Sequence, residues 1–395
     1  MTVRMTVVGQ TVTMQTSSPE RVRFGARGEF ARELDAEVRA YFVDHGLERR
    51  DLPRMYVKSA VILAWFVTSW SLLVFAAHGA IEGVLCAVSL GLSIAAVGMS
   101  IMHDGNHGAY SRHRWVNRVF GATLDVMGVC SFIWRRKHNG GHHNYTNVEG
   151  IDYDLDFGGL ARLSPGQTLR SWHRYQHVYL WFFYGFLLPK WVFHDDFVIL
   201  RKRMIGVHKL PRPSAKEFAA FVAAKVFFVG WSIVIPALYH PLWQVAVFHL
   251  VAAFALGVTL GTAFQLAHCT NKAEFPEAVT DGTEMSTDWS VHQLATTVDF
   301  GAHNRALTWF FGGLNFQVEH HLYPQICHLH YPALARITAD VARRHGLVHR
   351  SERTFGAAIL SHVAHLRLMG RAEPLPVPVP APQSARVARL RVPAR

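Results

Sequence analysis

Between Ser59 and Ile81 the chain carries no Asp, Glu, Lys or Arg, and after Glu82 a second uncharged run extends from Gly83 to Met102. Each is close to the ~20 residues that cross a bilayer as a helix. The two runs read as a hairpin with spans at about 59–81 and 83–102. A third uncharged stretch, Val226 to Asn271, is too long for one span, and Pro236 and His240-Pro241 mark a turn near its middle. It gives a second hairpin, with spans at about 218–239 and 242–267, entered through Phe218 and with Lys225 expected to snorkel its ammonium toward the interface. The shorter apolar stretches Val119 to Trp134 and Val178 to Phe193 are interrupted by Asp125 and by Pro189-Lys190, and read as interfacial or re-entrant helices.

Composition agrees with a membrane protein, because charged residues make up only 17% of the chain where about a quarter is usual. The turns around His78 to Glu82 and Leu238 to Trp243 hold no Lys or Arg, whereas Arg112, Arg114, Arg135, Arg136, Lys137 and Arg201 lie between the hairpins. The positive-inside rule then places both termini and the central segment in the cytoplasm. No signal peptide is expected at the polar start. The net charge of +12 comes with no nucleic-acid-binding motif, so anionic headgroups or an acidic protein partner fit it better than DNA or RNA. Cys86, Cys130, Cys269 and Cys327 stand far apart and predict free thiols.

Histidine is the outlier, with 25 residues, and imidazole is the commonest neutral metal ligand. His103 and His107 stand at i and i+4 where the second span leaves the bilayer, so both rings can reach one metal. His138 and His142 repeat that spacing, and His143, about 100° further around a helix, can serve a second ion. Gln317, His320 and His321 offer an amide oxygen and two imidazoles at i, i+3 and i+4, and His268 ends the fourth span alone. A single HxxxH is more often chance than a ligand pair, and His268 alone reads as an interfacial histidine. Three clusters on one face of a membrane protein are different. Eight histidines and a glutamine exceed one coordination sphere and suit two, and nitrogen donors favour iron, zinc, copper or nickel over magnesium and calcium.

A zinc peptidase is excluded because Asp104, not Glu, follows His103. Asp104 and Glu319 read as hydrogen-bond partners of ligand rings. Asp152, Asp154 and Asp156 read equally as such partners or as a solvated turn. His173, His177, His292, His303, His328 and His330 read as structural or interfacial.

The stretches HDGNHG from His103, KHNGGHHNYTNVEGIDYDLDF from Lys137, HRYQHVYLWFFYG from His173, FQLAHCTNKAEFP from Phe264 and GGLNFQVEHHLYP from Gly312 resemble the membrane fatty acid desaturases, in particular the acyl-lipid, front-end branch. The resemblance covers most of the chain between about Asp51 and Arg344. It implies an all-α integral membrane fold: four spanning helices in two hairpins under a cytoplasmic helical cap that holds a di-iron centre, with a hydrophobic tunnel for the acyl chain. Carried over residue by residue, the ligands to two iron ions would be His103, His107, His138, His142, His143, His320 and His321, with His268 matching an additional histidine of the family. Gln317 stands where other branches have histidine, as a direct ligand or a hydrogen-bonding neighbour.

The resemblance also implies O2 as co-substrate, an acyl lipid or acyl-CoA as substrate, and a cis double bond as product. No HPGG motif of a fused cytochrome b5 is found, so electrons are expected from an external donor such as a ferredoxin or a cytochrome b5-like protein. The expected layout is an N-terminal cytoplasmic segment over 1–50, partly disordered, a desaturase domain over 51–345, and a C-terminal cytoplasmic segment over 346–395. The Pro374 to Pro382 run and the Arg-rich sequence after it form a disordered basic tail. The alternatives are a hydroxylase or ketolase of the same superfamily, which the ligand set does not distinguish, and a histidine-rich metal transporter. The transporter would need polar residues along its spans, and the first three offer little beyond Lys225.

Overall fold

The computed structural model describes residues 3–7, 10–14, 23–277 and 284–371; the Pro/Arg-rich tail lies outside the described residues. Four helices are long and apolar enough to cross a membrane: Pro53–Phe75, Ala80–His107, Ala215–Ala237 and Leu242–His268. The first starts six residues before the uncharged run, taking in Arg54 and Lys58, because Pro53 sits at its first turn, where a missing N–H costs nothing. It stops at Phe75. The second opens on a cap in which the Glu82 carboxylate accepts from the N–H groups of His78 and Gly79 at 3.0 and 3.3 Å. The third opens on a reciprocal cap between Ser214 and Glu217.

The second helix is the most enclosed of the four, with 61% of its apolar window buried against 22% for the third. It packs on the fourth at backbone distance, since a Cβ on Gly91 would fall 2.3 Å from the Ala252 carbonyl oxygen. Small residues permit such an approach where no hydrophobic effect drives helices together. Outward-facing Ile81, Val226, Leu238 and Trp243 stay exposed, as lipid contact requires.

Val119 to Trp134 falls in a helix pair, Arg114–Val126 and Ser131–His142, bent by 103° at its break, the geometry of a broken span or a re-entrant loop. Lys225 does not snorkel. Its ammonium donates to the Gly128 and Val192 carbonyls at 2.6 and 2.8 Å and pairs with Asp196 at 2.8 Å. It thus ties the third helix to the bend, because the carbonyls freed at a helix break need a donor.

Among the helices outside the spans, two flank the site. Glu29–Asp44 buries Phe30, Leu34, Val38 and Phe42 against Leu334 and Val341. Phe355–Met369 lies behind the end of the fourth long helix, where the His362 ring meets the Cys269 carbonyl at 2.6 Å.

Candidate metal centre

His103 and His107 occupy the last turn of the second long helix, which reaches them through a π-helical turn, Val97–Met102. Asn106 between them anchors this turn: its amide donates to the Gly121 carbonyl at 3.0 Å and accepts from Arg135 at 2.9 Å, while its own carbonyl accepts from Asn139 at 3.1 Å. The bent segment is thereby fixed against the first pair. Gly312, at φ +60°, lets the loop before Gln317 press on the second helix, where a Cβ would lie 2.2 Å from the Met99 carbonyl oxygen.

All eight histidines named from sequence are buried and converge. His103, His107, His138 and His320 can point one nitrogen each at a common centre; His142, His268 and His321 share a second, and His143 joins His320 and His321 between them. Gln317 sits at the second group, its amide 2.9 Å from His268 Nε2.

His138 and His142 come within reach of one ion beside Asp154, as their i, i+4 spacing predicts, yet each also falls in a separate histidine group. Residues His138–His142 form a π-helical turn, closed by the His143 N–H donating to the His138 carbonyl at 2.9 Å. In such a turn the neighbour across one winding is i+5. His143 therefore faces His138, Nε2 to Nε2 at 3.2 Å, and His142 is rotated to His268, also at 3.2 Å. Two nitrogens bound at ~2.1 Å to one ion at a right angle would stand about 3 Å apart.

Three of the ring nitrogens away from the centres are engaged. Asp152 takes His142 Nδ1 at 2.9 Å, Gln293 Oε1 takes His321 Nδ1 at 2.8 Å with Thr146 at 3.1 Å, and the Tyr331 hydroxyl lies 3.3 Å from His320 Nδ1. These contacts leave Nε2 as the free end. Nε2 of His103, His107, His320 and His321 is buried with no partner. Each unsatisfied polar atom costs about 1–3 kcal/mol, so four of them aimed inward fit a site built for cations. Burial, reinforced by the neighbouring imidazoles, holds the His143, His320 and His321 rings well below the ordinary histidine range, in the neutral form a metal requires.

Asp152 was legible as an orienting group. Thr146, Gln293 and Tyr331 were not, because no spacing links them to the histidines. Asp154 pairs with Lys137 at 2.6 Å, and Asp156 accepts from the Gly158 N–H in a turn. Asp104 and Glu319 do not touch ligand rings, since a helical neighbour at ±1 points about 100° away. Asp104 holds His328 Nδ1 at 2.9 Å, whose Nε2 meets Lys58 Nζ at 2.8 Å, so His328 belongs to a buried network. Glu319 meets His349 at 3.0 Å, and burial pushes its carboxyl up to about 7.

An apolar cavity opens on this cluster. His138, His142 and His268 stand at its head, and Trp134, Leu155 and Phe264 are among its walls. Trp134 stacks on His138 at 4.3 Å between ring centres, continuing the cavity wall from the histidines. Replacing Asp152 by Ala is expected to weaken metal retention about 10- to 100-fold, read by chelator competition on detergent-solubilised protein. Unchanged retention would mean that His142 needs no orienting carboxylate.

Comparison with known proteins gives a consistent set of matches. Residues 80–353 match the family model described as fatty acid desaturase. The chain is 38% identical over 356 residues to the sn-1 linoleoyl-lipid 6-desaturase of Arthrospira platensis, covering 90% of this chain and 96% of the relative. It is 36% identical over 354 residues to the enzyme of the same name from Synechocystis sp., covering 89% and 99%. The acyl-lipid (8-3)-desaturase of Physcomitrium patens is 33% identical over 353 residues, covering 87% of this chain and 72% of that one.

Proposed function

The chain belongs to the fatty acid desaturase family and is an oxidoreductase that desaturates acyl chains; from that premise we propose that its eight clustered histidines and Gln317 hold two iron ions. The acyl group of a membrane lipid would lie in the cavity beneath them, and the new double bond would form near its carboxyl end, as the names of the 6- and (8-3)-desaturases suggest. The observation that carries the reading is the convergence of eight buried imidazoles, three of which stand at the head of an apolar cavity.

Two irons bound there would supply O2 activation and removal of hydrogen from an unactivated methylene, with electrons from a separate donor protein. The chain supplies position. Trp134 and Phe264 hold the alkyl chain against the histidines, and Asp152 and Gln293 fix two of the rings. The apolar part of the wall, with Trp134, Leu155 and Phe264, keeps water from the alkyl chain.

The four long helices form two membrane hairpins in this reading, with the histidine cap, both termini and the basic central segment in the cytoplasm. The basic surface there suits an acidic electron donor. The unit spans 51–345, with cytoplasmic segments on either side.

Expression in a host of simple fatty acid profile, with mass spectrometry to locate any new double bond, tests the reading, together with metal analysis of the purified protein. About two irons per chain and a new cis bond are expected. One stoichiometric zinc with no iron-dependent product would overturn the assignment.

A further inference from the structure

Where the first long helix begins, the chain is basic. Residues 48–57 and 111–121 together carry six arginines against two acids, Glu48 and Asp51. Arg49, Arg50 and Arg112 line one surface cleft beside the exposed side chains of Val43 and Leu47. Of the two acids, Asp51 is already engaged: its carboxylate accepts from the Ser111 and Tyr56 hydroxyls and from the backbone N–H and Nε of Arg112. Among the described residues the two terminal nitrogens of Arg112 and the whole Arg50 guanidinium meet no acceptor. The cleft stands between two lipid-facing surfaces. On one side Pro53–Phe75 turns Val57 and Val61 outward; on the other, helix Arg114–Gly121 exposes Trp115 and Val119. The Phe120 ring of that helix packs on Tyr56 and Tyr110 at 6.1 and 3.9 Å, which joins the two flanks. Exposed tryptophan and valine beside arginine mark the headgroup level of a bilayer.

We propose that this cleft binds the phosphate of an anionic phospholipid, held by Arg49, Arg50 and Arg112. Guanidinium groups match phosphate oxygens with parallel N–H donors, and Val43 and Leu47 suit the glycerol and first methylenes of the same molecule. The lipid-facing valines and Trp115 on both flanks favour a lipid over an acidic protein. Occupancy reaches the histidine region through the loop that carries the arginines. The Arg49 carbonyl accepts from the Cys327 N–H at 3.0 Å, the Glu48 carbonyl from His330 Nε2 at 2.9 Å, and the Asp51 N–H donates to the Tyr110 carbonyl at 3.0 Å. This loop therefore joins the chain just after His103–His107 to the chain just after His320 and His321. A lipid bridging Arg50 and Arg112 fixes it in place and stabilises the folded protein, as any ligand of the native state does.

The test is native mass spectrometry of the purified full chain with phosphatidylglycerol or phosphatidylcholine added, and thermal unfolding of the same samples. The wild type is expected to retain phosphatidylglycerol in preference, and its unfolding midpoint to rise with that lipid only. Each arginine near a membrane surface contributes a factor of about 5 in binding. Arg49→Gln combined with Arg50→Gln should therefore weaken phosphatidylglycerol retention by about 25-fold, and Arg50→Lys, which keeps the charge, by less than about 5-fold. Arg50→Gln alone carries the test if the double variant does not accumulate. Arg201→Gln with Lys202→Gln, exposed basic residues elsewhere, should leave retention unchanged; an equal loss there would mean diffuse attraction and overturn the site. Equal retention of the two lipids by the wild type, or undiminished retention in the double variant, overturns it as well. Displacement by equimolar inorganic phosphate would show a site for the free anion and not for a lipid. If the double variant keeps its lipid but loses turnover with a reduced acidic donor protein, the cleft belongs to that protein and the proposal fails.

Discussion

His321→Ala is expected to lower turnover below detection, by more than the about 10- to 100-fold that an outer partner costs, and to lower bound iron with it. His321 belongs both to the group with His142 and His268 and to the group with His143 and His320, so its loss opens the second centre and the place between the two. Its Nδ1 is already held by Gln293, which fixes the ring and leaves Nε2 free with no partner. The residue lies outside the four long helices, so membrane integration should persist. Iron content and the carbonate-resistant membrane fraction, measured on the same preparation, check this. More than a tenth of wild-type activity with iron retained would remove His321 from the site.

Gln317→Ala is expected to lower turnover at least about 100-fold, and Gln317→His to hold it within about 10-fold. The amide lies 2.9 Å from His268 Nε2, in the group of His142, His268 and His321. A half-turn of the amide exchanges its nitrogen and oxygen, which would present the oxygen to a cation at that place. An imidazole at 317 offers a donor there as well, whereas Ala offers none. If the alanine variant loses only 10- to 100-fold in activity and keeps its iron, Gln317 is an orienting neighbour and not a ligand. Activity and iron analysis of both variants decide between the two.

The four long helices were legible because absence of charge over some twenty residues is a strong, local signal. Ser59 to Ile81 and Gly83 to Met102 needed no knowledge of partners. Helix ends were less so: Pro53–Phe75 starts earlier because Lys58, charged in sequence, finds His328 and is buried. Lys225 misled for the same reason, since its three acceptors come from segments distant in the chain.

The candidate ligands were legible as clusters, yet how their rings group in space was not. Periodicity assumes a regular helix, and the π-helical turn at His138–His142 shifts every following side chain by one position. The partners Thr146, Gln293 and Tyr331 lacked any signal, because their roles exist only once the chain has folded. The family resemblance named candidate ligands, but not which ring faces which.

The donors of this centre are widely spread along the chain: more than 200 residues separate His103 from His321. At a synthesis rate of about 5–20 residues per second, the first imidazoles wait roughly 10 to 40 s for the last. Throughout that interval Asp104 and Lys58 also lack His328, the residue that joins them. The early helix pair therefore enters the bilayer with an acid and a base unmatched, and its packing is provisional until the carboxy-terminal third arrives. In the proposed reading metal capture comes last in this order of assembly, and a chain cut short before Gln317 would have no means of completing it.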